Sequence, residues 1–201
     1  MAEKIELDIP ISEAEEPNLD LWLSSGLDIA NRTLHLIGDV NELMLTATHR
    51  SIIALNKINN DPIIIHLFTA GGSMPEGFAI YDILRASPSP IIMIANGIIA
   101  SMGIVIFLAG TERFALENTR FMIHSMSDER PEGSSKLKDS IIDLNEMKVA
   151  NDMMFEIIFD RTKISPKSLD KNTFNHDYYF DVKLAEKYGI ITKPKKGTYK
   201  K

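Results

Sequence analysis

The chain has 201 residues, 44% hydrophobic and 25% charged, enough for one domain with a sizeable core. Its formal net charge of −6 argues against non-specific nucleic-acid binding. The absence of cysteine excludes a thiol nucleophile, structural disulfides and cysteine-ligated metal, and suits a reducing, cytoplasmic setting.

Residues 1–20 are rich in Glu and Asp and carry Pro10 and Pro17, so they read as an acidic mobile N-terminal arm. No basic region followed by an apolar stretch opens the sequence, and no secretory signal is expected. Residues 21–192 form the expected domain. Leu34–Gly38 reads as a first strand and Asn41–Asn59 as a helix, with Leu45, Ile52, Ile53 and Leu55 for its apolar side. Ile63–Phe68 is nearly all apolar, as in a parallel strand covered on both faces. A helix from about Pro75 to Ala86 follows, burying Phe78, Ile80, Ile83 and Leu84, and Pro88 and Pro90 stop it. Ile91–Ala95 reads as the next strand and Ile104–Ala109 as a helix.

No charged residue occurs between Pro90 and Gly110, and about 20 apolar residues can span a bilayer. Pro90, Asn96, Gly97, Ser101 and Gly103 break the run into strand, loop and helix, so it reads as buried core. Arg120–Ser125 is strand-like, Ser127–Ser135 a polar loop, and Lys136–Arg161 a long helix with an apolar side of Leu137, Ile141, Leu144, Met147 or Lys148, Met154, Ile157 and Ile158. Residues 193–201 make a basic C-terminal tail. Strands alternating with helices at these lengths give an α/β domain with a parallel sheet.

Three stretches carry chemistry. Ile98–Ile104 joins a strand to a helix and places Ser101 at a helix N-terminus, where unpaired N–H groups favour a developing oxyanion. Thr69-Ala70-Gly71-Gly72-Ser73 follows a buried strand, and its paired glycines allow close approach of a ligand. Arg120–Ser125 contains His124 at a strand end. Each alone fits ordinary packing; together, with an acid still to come, they suggest acyl transfer by an activated serine. His35 and His49 show no partner pattern, no His/Asp/Glu group has metal-site spacing, and no phosphate-binding loop is present.

Gly71-Gly72-Ser73, Ala79-Ile80-Tyr81-Asp82, Ala100-Ser101-Met102-Gly103, Arg113-Phe114-Ala115-Leu116, Met122-Ile123-His124, and Ala185 with Tyr188-Gly189 follow one another in an order and spacing that resembles the Clp protease proteolytic subunit, ClpP, a family of serine peptidases. The resemblance runs from about Leu34 to Ile191 and marks a divergent, phage-type member. It implies the ClpP/crotonase-like α/β fold, with a parallel sheet, flanking helices and a projecting handle helix at Lys136–Arg161. It also implies an endopeptidase cleaving unfolded polypeptides inside an oligomeric chamber. Ser101 would be the nucleophile, His124 the general base and Asp177 the acid that orients it, while nearby Asp181 is the better cap for a helix from Val182 to Tyr188. The backbone N–H groups of Gly72 and Met102 would form the oxyanion hole, and substrate would lie extended between Ser73-Met74 and Ser125-Met126-Ser127.

The same resemblance implies a heptameric ring or a tetradecamer, no cofactor, and an AAA+ unfoldase of the ClpX/ClpA type docking on Ile64, His66, Ala86, Ile94, Asn96, Phe114 and Leu116. Three departures stand out. Ala70 replaces a proline before the two glycines, His176 replaces an arginine before the triad acid, and only one aromatic remains among the docking positions. The alternatives are a maturation protease cutting one dedicated protein and a non-catalytic ring subunit.

Overall fold

The computed structural model of the chain describes residues 26–125, 137–167 and 177–192, with side chains of the long helix described from residue 145. The acidic arm, the polar loop, Met126, Ser127, His176 and the basic tail lie outside the described residues. So do the side chains of Leu137, Ile141 and Leu144.

In chain order the strands are β1 (Leu27–Asp28), β2 (Thr33–Ile37), β3 (Ile63–Thr69), β4 (Ile91–Ala100), β5 (Glu112–Ala115), β6 (Arg120–Ile123) and β7 (Tyr178–Asp181). The helices are α1 (Glu42–Ile58), α2 (Met74–Ala86), α3 (Met102–Leu108), α4 (Leu137–Arg161) and α5 (Val182–Lys187). One sheet holds all seven described strands in the order β1-β2-β3-β4-β6-β7, with β5 also on β4. The β2, β3, β4, β5 and β6 pairings are parallel, and β1 and β7 close the ends antiparallel. The α/β class and the parallel sheet are as expected from sequence.

β4 is the organising strand. Its first half pairs with β5 and its second half with β6 on the same edge. Asn96 and Gly97 do not end the strand, as the sequence suggested. Leu67 opposes Ala95 and Thr69 opposes Ile99, so Asn96, Gly97 and Ile98 bulge against the single residue Phe68. The bulge turns the end of β4 and lets the strand deliver Ala100 and Ser101 at its C-terminal tip. The short strands β1, β5 and β7 carry too few residues to show a periodicity of their own.

α3 is apolar on every side, and all seven of its residues are buried, which is the pattern of a helix running through a core. The uncharged run from Pro90 to Gly110 is therefore interior, and among the described residues no helix is long and apolar enough to cross a membrane. α4, 25 residues and about 37 Å long, buries Met154 and Ile158, whereas Asn145, Glu146, Lys148 and Val149 are exposed. Of the two candidates for its apolar side, Met147 is the half-buried one and Lys148 is exposed.

Two devices fasten the C-terminal part to the sheet. Phe121 stacks on Phe180 with ring centroids 5.6 Å apart, and Phe107 and Tyr188 extend the cluster. Arg113, only 5% exposed, donates to the carbonyls of Ile190, Gly110 and Gly189 at 2.7, 3.0 and 3.0 Å. Burial first, and then the neighbouring Arg161 charge, push its pKa down to about 10, which leaves it cationic at neutral pH.

Candidate active site

The tip of β4 and the start of α3 meet at Ser101, whose φ of 53° and ψ of −126° are unusual for a residue with a side chain. Such a conformation costs on the order of 1–3 kcal/mol and persists only when its surroundings impose it. Here the Ser101 N–H donates to Met122 O at 3.0 Å, and its carbonyl accepts from Ile104 N–H at 2.9 Å. A strained, half-buried serine between strand and helix is the geometry of a nucleophile elbow.

His124 follows β6, the strand that pairs with the end of β4 through Ala100 and Met122. That register brings His124 Nε2 to 2.8 Å from Ser101 Oγ. With the proton on Nδ1, Nε2 accepts the serine proton, which is the arrangement needed for general-base activation.

Asp177 precedes β7. Because Ile123 opposes Tyr178 in the antiparallel β6–β7 pair, His124 and Asp177 are the next residues outward on facing strands. Asp177 Oδ1 stands 3.8 Å from His124 Nδ1 and its side chain is 54% exposed. The separation is that of an ion pair and too long for a direct hydrogen bond. Asp181 caps α5 by accepting from Leu184 N–H at 2.9 Å, the role expected of it from sequence.

The Gly71–Gly72 segment lies alongside. Val40 N–H donates to Gly71 O and Ser73 N–H to Val40 O, both at 2.8 Å. This is a parallel bridge between Val40 and Gly72, and in such a bridge the N–H of the paired residue points to the opposite edge. The Gly72 N–H is therefore directed away from Val40. Neither it nor the Met102 N–H has an acceptor among the described residues. Both glycines are required. A Cβ on Gly71 would lie 2.6 Å from Ser101 Cβ, and one on Gly72 would collide with Val40 O.

Of the expected substrate-binding residues, Ser73 and Met74 are half-buried at the start of α2, where the Ser73 hydroxyl donates to Glu76. That hydrogen bond is the main cause holding the Glu76 carboxyl below its ordinary range. Ser125 is half-buried beside His124. Among the described residues no cluster of three or more His, Cys, Asp or Glu side chains could hold a metal ion.

The expected docking residues are not all surface. Ile64 and His66 share a half-buried face of β3, as strand alternation requires, but Ile94 and Phe114 are only 2% and 5% exposed. Asn96 is half-buried, Leu116 is exposed, and Ala86 ends α2, off the sheet. Sequence reasoning missed two neighbours on this face. His35 opposes His66 and stacks on it at 4.8 Å, and Ile37 opposes Phe68, both of them exposed. Period-two counting along β2 and β3 would have found them.

The profile of the Clp protease family matches residues 25–194. An ATP-dependent Clp protease proteolytic subunit 2 from Prochlorococcus marinus (strain MIT 9312) is 30% identical over 86% of this chain and 84% of its own length. The proteolytic subunit 2 from Treponema pallidum is 27% identical over 82% of each chain. Among solved structures, a ClpP1 mutant from Listeria monocytogenes superposes with a TM-score of 0.73 at 28% identity, covering 81% of this chain and 90% of the other.

Proposed function

The chain belongs to the Clp protease family, and from that membership and the 2.8 Å contact between His124 Nε2 and Ser101 Oγ we propose that it is a serine endopeptidase. The single observation that carries the reading is that contact, made by a serine held in a strained turn.

In the proposed reaction His124 takes the proton of Ser101 as Oγ attacks the scissile carbonyl carbon. The carbonyl electron pair moves to oxygen, which the Gly72 and Met102 N–H groups receive. His124, now imidazolium, returns the proton to the leaving amine as the C–N bond breaks. Water then repeats the sequence to free the acid and Ser101. Asp177 supports the imidazolium charge; closing its gap to Nδ1 by about 1 Å would add the orienting hydrogen bond. Extended substrate would run beside Gly72-Ser73-Met74 and the segment Ser125-Met126-Ser127, pairing backbone to backbone and so accepting many sequences.

The reading extends to assembly. The relatives' names describe ATP-dependent proteolytic subunits, and we assign this chain the same role, in a heptameric or double-heptameric chamber, with ATP use residing in an unfoldase partner. Residues 21–192 would be the peptidase domain, with the arm and tail as flanking segments. The exposed Asn145, Glu146, Lys148 and Val149 of α4 support a partner-facing handle. The non-catalytic alternative is disfavoured by the Ser101–His124 contact.

The test is hydrolysis of a short fluorogenic peptide by the assembled protein, with its size followed by light scattering. The expected result is a particle far larger than 22.6 kDa whose activity disappears in Ser101→Ala while its size is kept. A stable, active monomer, or an active Ser101→Ala variant, would contradict the proposal.

A further inference from the structure

Thr69 is the last residue of β3 and is fully buried, with 0% of its surface exposed. Both branches of its side chain are engaged. The hydroxyl accepts the Gly71 N–H at 3.0 Å and lies 3.4 Å from Gly71 O, closing a tight side-chain turn over the exposed Ala70. The methyl faces the other wall of the site: a Cβ on Gly103 would lie 2.5 Å from Thr69 Cγ2. Gly103 is the second residue of α3 and adjoins Met102.

One side chain thus touches the segment that carries the Gly72 N–H and the helix turn that carries the Met102 N–H. The Gly71 contact with Ser101 lies between them. We infer that Thr69 is a positioning residue that sets the separation of the two N–H donors for the oxyanion, its hydroxyl holding one donor segment and its methyl spacing the other. The inference rests on the serine-peptidase reading above. Thr69 itself does not reach the reacting atoms.

The physical case is one of rigidity. Oxyanion donors act only where they are aimed in advance at the developing charge, and removing one costs about 10²–10³ in kcat. The Gly71–Gly72 segment is free of side-chain restraint, with φ of 105° and 144° at the two glycines. Its position is fixed on one side by the two hydrogen bonds with Val40 and on the other by the Thr69 hydroxyl. Valine at 69 keeps both the shape and the methyl wedge but leaves the buried Gly71 N–H without an acceptor, so the segment moves to find one. Serine keeps the acceptor and loses only the wedge.

The experiment compares Thr69→Val, Thr69→Ala and Thr69→Ser in the full-length protein. Active sites are counted by titration with a fluorophosphonate, so that misfolded protein drops out, and kcat and KM are measured per titrated site. Affinity is also measured for a peptide boronate, whose tetrahedral adduct places an oxygen in the oxyanion hole. For Thr69→Val and Thr69→Ala the expected result is a fall in kcat of roughly 30-fold or more, part of the full donor effect. KM should stay within about threefold, and boronate affinity should weaken by the same factor as kcat/KM. Thr69→Ser should recover at least about tenfold over Thr69→Ala. Should Thr69→Val yield too few titratable sites to assay, the smaller Thr69→Ala decides. Unchanged kcat per site in Thr69→Ala, or a fall in kcat with unaltered boronate affinity, would overturn the assignment. Activity that survives Ser101→Ala would instead overturn the serine reading on which it rests.

Discussion

Gly71 and Gly38 form a matched pair for separating backbone strain from active-site damage. Their φ values are 105° and 112°, so alanine is strained at both positions to a similar degree, on the order of 1–3 kcal/mol. Their surroundings differ. A Cβ on Gly38 meets nothing within 4 Å, whereas one on Gly71 lies 2.6 Å from Ser101 Cβ, 3.0 Å from Ala100 O and 3.2 Å from Ser101 Oγ. Ordinary carbon–carbon contact is about 3.5–4.0 Å, so Gly71→Ala must push the serine and the glycine segment apart by about 1 Å. A displacement of that size in a reacting geometry costs on the order of 100-fold in rate. Urea melts should show both variants destabilised, Gly71→Ala more than Gly38→Ala, because pushing the packed groups apart adds to the backbone strain the two share. Peptide hydrolysis per folded molecule should fall about 100-fold in Gly71→Ala and less than about twofold in Gly38→Ala. Equal activity in the two variants would show that the Gly71 segment does not abut the reacting serine.

Three other outcomes follow from named features. Ser101→Gly should be inactive yet more stable than Ser101→Ala by about 1 kcal/mol, since glycine relaxes a positive-φ position; equal thermal midpoints would deny the strain at Ser101. Burial, and then the stacked His35, hold the His66 pKa below its ordinary value. The unfolded chain therefore binds the extra proton, and the stability His66 contributes is present above about pH 6.5 and lost as pH falls through the depressed folded value. His66→Phe should flatten the fall in urea midpoint between about pH 7 and pH 5, and an unchanged slope would refute this. Finally, if an unfoldase docks on the face of Ile64 and His66, that face offers little aromatic anchoring, and each missing aromatic anchor removes on the order of 2 kcal/mol of docking. A ClpX-type unfoldase with ATP should stimulate degradation of a tagged folded substrate weakly or not at all while short peptides are still cut, and processive degradation would contradict that.

Much of the fold was legible because long apolar segments declare their period. The ends of α1, β3 and α2 fall within one or two residues of where the helical and strand patterns place them. Asn96-Gly97 misled because the same residues serve a loop or a bulge, and only the pairing of Thr69 with Ile99 decides which. β5 and β7 are held by neighbours, Arg113 and the Phe121–Phe180 stack among them, and not by local propensity. At the site, Ser101 and His124 could be named because strand ends and small residues mark such joints, but the strain at Ser101 is invisible in sequence. Thr69 was hidden too: a threonine ending an apolar strand looks like ordinary β propensity, and its two contacts, to Gly71 and Gly103, exist only once β3, β4 and α3 are assembled. The Ile94 and Phe114 positions show the converse, since motif matching locates residues but does not say whether they reach the surface.

The central claim is that His124 activates Ser101 for nucleophilic attack, and covalent capture tests it most directly. The native protein is treated with a fluorophosphonate, digested, and the modified peptide located by mass spectrometry. The expected result is a single adduct on the peptide containing Ser101, lost in Ser101→Ala and formed at least about 100-fold more slowly in His124→Ala. An adduct on another residue, or labelling of Ser101 at the same rate without His124, would contradict it.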